Sequence, residues 1–307
     1  MIEFYIKTIK DQNLQKITEF KPGCWINLEA PEKNEIEEIS KDLKIDEEWI
    51  NSCLDIDEKS RVETENGNVL LITRIPYKDE DEITTLPFGI IITKDCLLTV
   101  SSLDNLVLQD IKNEKIKVYT TQRVRFVLKI FERVNRHYDK FLTELRRKSE
   151  MIEDMLTTSL SNKEIENLLK IQKTLIYFSS AVVANEIVFE KVNSGKILKL
   201  YEEDKDITDE IVLSNREIYE AIKIMRDVLS NTLDAYASII SNNLNIVMKF
   251  LASVSIILTF PVMIASYYGM NVGLPFQNEP YAFGLILLMS LIAVIGVFVL
   301  FKKKNWL

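Results

Sequence analysis

The chain has 307 residues, 47% of them hydrophobic and 27% charged, with a formal net charge of −8 at pH 7. That length holds one large domain or two modest ones, and the acidic balance argues against nucleic acid as a partner, which needs a basic footprint. Cys24, Cys53 and Cys96 lie far apart without a CxxC pair and read as reduced structural thiols, while the single histidine, His137, sits among charged residues and reads as a solvated surface side chain, a lone ligand being no metal site.

The start of the chain, Met1-Ile2-Glu3-Phe4-Tyr5-Ile6-Lys7, alternates like a strand and carries no basic region followed by an apolar core, so no signal peptide is expected. Strands are predicted at 2–9, 24–28, 61–64, 69–76, 87–93 and 96–101, with Asn66-Gly67 as a two-residue hairpin turn. Pro31-Glu32 opens a helix carrying Ile36, Ile39 and Leu43, and Asp46 to Leu54 forms another short one. Residues 1–120 are thus expected as an α/β layer domain with its own core. The acidic tip Asp79-Glu80-Asp81-Glu82 reads as a solvated loop, with contact to a divalent ion as the alternative.

From 121 to 205 the pattern is helical. Val124, Leu128, Phe131, Val134 and Tyr138 keep one face, and Leu142, Leu145, Ile152 and Met155 continue it. Ser161-Asn162-Lys163-Glu164 has the spacing of a capping box between two long antiparallel helices, and Asn193-Ser194-Gly195 is a helix stop. Asp206 or Thr208 is then expected to cap a helix without a breaker up to Phe260, Asp209 and Glu210 favouring its positive end. Sixty residues at 1.5 Å each make roughly 90 Å, far more than a bilayer core needs. Residues 206–246 are therefore expected outside the membrane and 247–267 within it.

Two stripes mark this helix. Ile218, Ile222, Met225, Leu229 and Tyr236 form a packing seam. Asp227, Asn231, Asp234, Ser238, Ser241 and Asn245 follow the same 4-3 spacing, all polar, and the register enters the apolar span as Met248, Ala252, Ser255, Thr259, Val262 and Ser266. A small or polar stripe that crosses from water into lipid is what a pore wall needs, with several copies around an axis; close dry packing of small residues is the other reading. Residues 247–267 and 281–301 are each long enough to span a membrane. Lys302-Lys303-Lys304 in the tail 302–307 assigns that end to the cytoplasm, and two spans return the preceding domain there too. Residues 268–280 are the connecting outer loop.

Tyr268-Gly269-Met270-Asn271, placed directly after that span, resembles the signature of the CorA family of magnesium channels. The inner-end string Asn242-Asn243-Leu244-Asn245-Ile246-Val247-Met248-Lys249 and the basic tail through Asn305-Trp306-Leu307 are similar to the family's as well. The resemblance implies an α+β fold: an N-terminal cytosolic α/β/α sandwich, a long helical stalk and two C-terminal transmembrane helices, assembled as a funnel-shaped homopentamer in the plasma membrane with both termini cytoplasmic. It implies a Mg²⁺ channel in which Gly269, Met270 and Asn271 form the selectivity filter. Asp234, Asn245, Met248, Leu251, Ser255, Thr259, Val262 and Ser266 would line the pore, with Met248 and Leu251 as a hydrophobic constriction. Mg²⁺ dehydrates reluctantly, so amide and backbone oxygens can hold its water shell without a carboxylate cage. Family members also close when Mg²⁺ occupies acidic cytosolic sites, which assigns Glu210, with Asp209, a regulatory role alongside the structural one of acids at a helix start.

The chain departs from the family pattern at Thr259, at the position of Pro261, and in the loop Gly273-Leu274-Pro275-Phe276-Gln277-Asn278-Glu279-Pro280, where Glu279 is the remaining cation-attracting acid. The expected partners are further copies of the chain, membrane lipid and divalent cations. No cofactor is expected beyond Mg²⁺ as transported and regulatory ion. No Walker-type, H-E-x-x-H or G-x-S-x-G motif is present, so no enzyme is expected. The membrane potential supplies about 4.6 kcal/mol per 100 mV to an entering divalent ion. The alternatives are a Zn²⁺, Co²⁺ or Ni²⁺ transporter of the same superfamily, with Met270 counting against the zinc branch that the resemblance includes and the lack of a His or Cys cluster against a soft-metal site, and a non-conducting membrane scaffold.

Overall fold

The computed structural model describes residues 1–80, 82–158, 162–276, 279–304 and 306. Runs of Ile, Val, Leu and Thr fit a pleated, half-buried surface and form β1 (Ile2–Ile6), β2 (Gln15–Ile17), β3 (Trp25–Glu29), β4 (Arg61–Glu65), β5 (Asn68–Asp79), β6 (Glu82–Ile92) and β7 (Leu97–Ser101). These strands make one mixed sheet in the order β2-β1-β3-β7-β6-β5-β4, with β3 and β7 parallel and the other neighbours antiparallel. The β4–β5 turn is Asn66-Gly67, both at positive φ (50° and 81°), the backbone a type I′ turn demands. β1 stops at Ile6 instead of running to residue 9, because Thr8 and Asp11 close a turn: the Thr8 amide donates to Asp11 Oδ2 at 2.7 Å.

Helices cover both faces of the sheet. On one side lie α1 (Lys33–Leu43) and α2 (Glu47–Leu54). The Glu32 amide donates to Glu35 Oε2 at 2.8 Å to start α1, and Asp46 Oδ1 accepts from the Glu48 amide at 2.8 Å to start α2. Their apolar faces (Ile36, Ile39, Trp49, Ile50, Cys53) share a core with Ile26, Leu28, Leu70, Ile72 and Leu98 of the sheet. α2 approaches β6 so closely that a Cβ on Gly89 would lie 2.1 Å from Cys53 Sγ. All three cysteines are free and buried, and burial pushes the Cys53 and Cys96 thiols well up, as inert structural thiols require.

The opposite face carries α4 (Arg123–Thr158) and α5 (Asn162–Asn193), giving an α/β/α sandwich. Trp25 meets Phe126 of α4 edge to face, centroids 5.5 Å apart. β4 ends opposite Ile72, so the strand edge of β5 is open at Arg74, and α5 closes it. The Asn185 carboxamide accepts from the Arg74 amide and donates to the Arg74 carbonyl, both at 2.8 Å, as a neighbouring strand would. The capping box proposed at 161–164 involves Ser161, which lies outside the described residues. α5 ends at Asn193, followed by Gly195 at φ 67°.

His137 is not the solvated surface side chain that its charged neighbours suggest. His137 is 6% exposed, and its Nε2 lies 2.8 Å from Asp110 Oδ2. The cause is α3 (Leu106–Lys112), which packs on α4 and brings Asp110 to this histidine, to Arg133 (2.7 Å) and to Lys115 (3.1 Å).

α6 runs from Glu202 to Tyr268 and α7 from Ala282 to Lys303. Asp206 and Thr208 do not cap α6. The helix starts four residues earlier with Glu202, Glu203 and Asp204 in its first turn, and the Thr208 hydroxyl bonds back to Asp204 O within the helix at 2.9 Å. The seam residues Ile218, Ile222, Met225 and Leu229 are buried, and Ile211 extends the same face backward. The chain forms two compact units, Met1–Ser230 and Asn231–Leu307, the first containing the sandwich and the early turns of α6, the second the rest of α6 with α7.

Candidate ion pathway

Among the described residues two helices, α6 and α7, are long and apolar enough to cross a membrane, and the second unit holds α7 and the apolar end of α6. A residue on an α-helix turns 100° from its predecessor. On that wheel Ser253, Val254, Ile257, Phe260, Pro261, Ile264 and Tyr268 fall on one side of α6, and all are buried or half-buried. α7 carries a matching half-buried stripe at Leu285, Ile286, Ala293, Val294 and Val297. Two such stripes are what paired helices present to each other.

Met248, Leu251, Ala252, Ser255, Thr259, Val262 and Ser266 are centred 180° away on α6, and every one is exposed. Asn231, Asp234, Ser238, Ser241 and Asn245 are exposed as well. The hydroxyls on this face are partly used within the helix: Ser238 donates to Asp234 O at 3.0 Å and Thr259 to Ser255 O at 2.8 Å. The carboxylate of Asp234 and the amide of Asn245 remain exposed, two polar levels before the apolar stretch. Met248 and Leu251, 58% and 53% exposed, are the first bulky apolar side chains beyond them on this face.

α6 ends at Tyr268. The Gly269 amide still bonds to Ala265 O at 3.0 Å, and Met270 and Asn271 follow in non-helical backbone, exposed. Gly269 has no positive φ, and a Cβ added to it would lie 3.4 Å from Ala265 O, an ordinary contact. The chain's own backbone therefore does not demand glycine at 269. Glu279 is exposed in the loop before α7, and its carbonyl accepts from the Ala282 amide at 3.0 Å. Gln277 and Asn278 of that loop, and Asn305 and Leu307 of the basic tail, lie outside the described residues.

In the first unit the two proposed regulatory acids separate. Asp209 Oδ1 accepts from Asn193 Nδ2 at 2.8 Å and ties α6 to the end of α5. Glu210 instead lines a groove of about 460 Å³ between α4 and α6, with Glu132, Asp139 and Glu217. Glu132 and Asp139 lie seven residues apart, two turns along one helix face, and sequence reading passed over them because they belong to an ordinary charged helix. Arg136 pairs with Glu132 at 2.8 Å, leaving the groove net acidic. Among the described residues no cluster of three or more His, Cys, Asp or Glu side chains is placed to hold a metal directly. Asp81 of the acidic tip lies outside the described residues, while Asp79 and Glu82 pair across the β5–β6 hairpin.

A mixed α/β sandwich followed by one long helix that ends in a span-length apolar stretch, and then by a second span-length helix, is a two-span membrane-protein architecture. The family model for the CorA-like Mg²⁺ transporter protein matches residues 21–303, and the chain belongs to this family. The cobalt/magnesium transport protein CorA of Methanocaldococcus jannaschii is 27% identical over 290 residues, covering 92% of this chain and 91% of that protein. Its namesake in Thermotoga maritima is 21% identical over 319 residues, covering 98% and 89%. The complete structure of the M. jannaschii CorA magnesium transporter superposes with a TM-score of 0.89 at 24% identity, over 100% of this chain and 99% of that one, which establishes the fold.

Proposed function

We propose that this chain is a Mg²⁺ channel of the plasma membrane, assembled as a homopentamer, that passes partly hydrated Mg²⁺ inward down its electrochemical gradient. The observation that carries the reading is the division of α6 into two opposite faces: one half-buried, the other exposed from Asn231 to Ser266 and small or polar except at Met248, Leu251 and Val262. Copies arranged around an axis with this face inward enclose a path in which Asp234 attracts cations, Asn245 passes hydrated ones and Met248 with Leu251 excludes water when closed.

Gly269, Met270 and Asn271 form the mouth. Asn271 offers an amide oxygen to the water shell of the ion, suited to a cation that keeps its waters. A glycine that its own backbone does not need is explained by close approach of copies or of the ion at that level. Glu279 adds an acid near this mouth, and Lys302 and Lys303 hold the end of α7 in the cytoplasm. Cytosolic Mg²⁺ closes the path through the acidic groove at Glu210. Co²⁺ is a second cargo, favoured by the cobalt/magnesium names of both relatives.

The test is Mg²⁺ flux into liposomes containing the purified protein, under an inside-negative potential. The intact chain is expected to conduct, and Asn271→Ala to lose tenfold or more of the rate, about 1.4 kcal/mol or more in barrier terms. Equal flux in both would remove the filter assignment, and no flux in either would remove the channel.

A further inference from the structure

From Ile211 to Leu229 the buried face of α6 repeats every four and three residues and is apolar at every step but one: Ile211, Ile218, Ile222, Met225 and Leu229, with Asn215 in second place. Asn215 is fully buried, and its Nδ2 donates to the Val182 carbonyl of α5 at 3.0 Å. One turn away Asn135 of α4, 2% exposed, donates from Nδ2 to the Ile211 carbonyl of α6 at 2.9 Å. The Oδ1 of each has no hydrogen-bond partner among the described residues. Asn215 therefore sits within an aliphatic seam and Asn135 where that seam borders the acidic groove, each at a cost in stability, and each makes one directional bond to a single carbonyl of the facing helix.

An apolar 4-3 seam does not by itself choose a register. Moving α6 by one turn, roughly 5.4 Å, exchanges one aliphatic position for another. The same step takes the Ile211 carbonyl away from Asn135 and carries Asn215 past Val182. A lone polar residue in such a seam is the recognised means of fixing register at the expense of stability. We infer that Asn135 and Asn215 are positioning residues that hold α6 in one axial register against α4 and α5, in a seam otherwise able to step by a turn. The inference concerns the first unit alone and does not rest on conduction.

The ion pairs of Arg216 with Glu186 and Glu190 supply a ruler. α5 and α6 run antiparallel here, since Asp209 meets Asn193 while Asn215 meets Val182. A one-turn step therefore brings Glu220 to the place of Arg216. In the full-length protein, Arg216→Cys with Glu186→Cys reports the native register, and Glu220→Cys with Glu186→Cys the stepped one. Each pair is oxidised and its linked peptide quantified by mass spectrometry. With both asparagines present the native pair is expected to cross-link at least tenfold more than the stepped pair. With Asn135→Leu and Asn215→Leu the two are expected to cross-link to within about twofold, with a higher melting temperature. Equal cross-linking of both pairs in the asparagine background overturns the proposal, as does an unchanged preference for the native pair in the leucine variant or a fall in its melting temperature. Asn215→Leu alone, read the same way, decides the matter where the double variant does not fold.

Discussion

The hydrogen that serves as side chain at position 89 sets how closely α2 can lie on the sheet. Any Cβ there meets Cys53 Sγ at 2.1 Å and Cys53 Cβ at 2.7 Å, and the second of these cannot be relieved by rotating the thiol. Gly89→Ala must push α2 outward and is expected to cost about 1–3 kcal/mol, measured as a lower denaturant midpoint; an unchanged midpoint would show that α2 is not held this tightly. The Asp110–His137 pair makes a pH prediction. Burial lowers the His137 pKa although the Asp110 carboxylate pulls it up, so the folded protein holds a neutral ring whose Nε2–H donates to Asp110. Burial pushes Asp110 up, but hydrogen bonds from Arg133 and Lys115 and the charge of Arg133, joined by that of His137 once the ring is protonated in acid, outweigh it and hold the carboxyl at about 2. The unfolded chain takes up the imidazole proton first as pH falls below about 6.5, so stability drops from there toward the lowered folded value. The Asp110 contribution is present above its unfolded value of 3.8 and is lost between there and about 2. His137→Gln is expected to flatten the stability profile as pH falls below about 6.5; an identical slope would contradict the neutral, buried ring.

At the scale of elements, local chemistry decides what a sequence discloses. The Asn66-Gly67 turn was legible because only certain residues accept two consecutive positive φ angles, and the strands it joins because Val, Ile, Leu and Thr are concentrated beside it. β2 was not, since Gln15 and Lys16 give an edge strand no apolar period. α3 has seven residues, too few to show a helical repeat, and with it the burial of His137 went unseen. The start of α6 was misread because Thr208 resembles an N-cap, yet inside a helix its hydroxyl bonds just as well to the carbonyl four residues back. That correction bears on the candidate site. Glu210 lies beyond the first turn, so the helix dipole does not account for it, and it shares a groove with Glu132 and Asp139 of α4 and Glu217 of its own helix. Glu210→Ala is expected to raise, several-fold, the internal Mg²⁺ concentration needed to suppress flux, with the maximal rate kept; inhibition at the same millimolar level would exclude the groove as the sensor.

For the whole molecule, the membership of a CorA-like family and the two-face division of α6 carry the functional account. The motif at 268–271 and the span-length apolar runs could be read directly, because a membrane imposes length and composition on any helix that crosses it. Which α6 face meets α7 could not, since Ser, Ala and Thr line dry helix contacts as readily as water-filled ones. The structure half-buries the stripe from Ser253 to Tyr268 and leaves the Met248–Ser266 face exposed, as the proposed pore axis requires. The most direct measurement is a cysteine scan of α6 in liposomes, favoured by the burial of all three native cysteines. Each variant is treated with a water-soluble thiol reagent while Mg²⁺ flux is recorded. Cysteines at Ala252, Ser255, Thr259 and Ser266 are expected to react and block flux, while those at Val254, Ile257, Phe260 and Ile264 leave it unchanged. Reaction and block on the second set, or no difference between the two faces, would contradict a pore lined by α6.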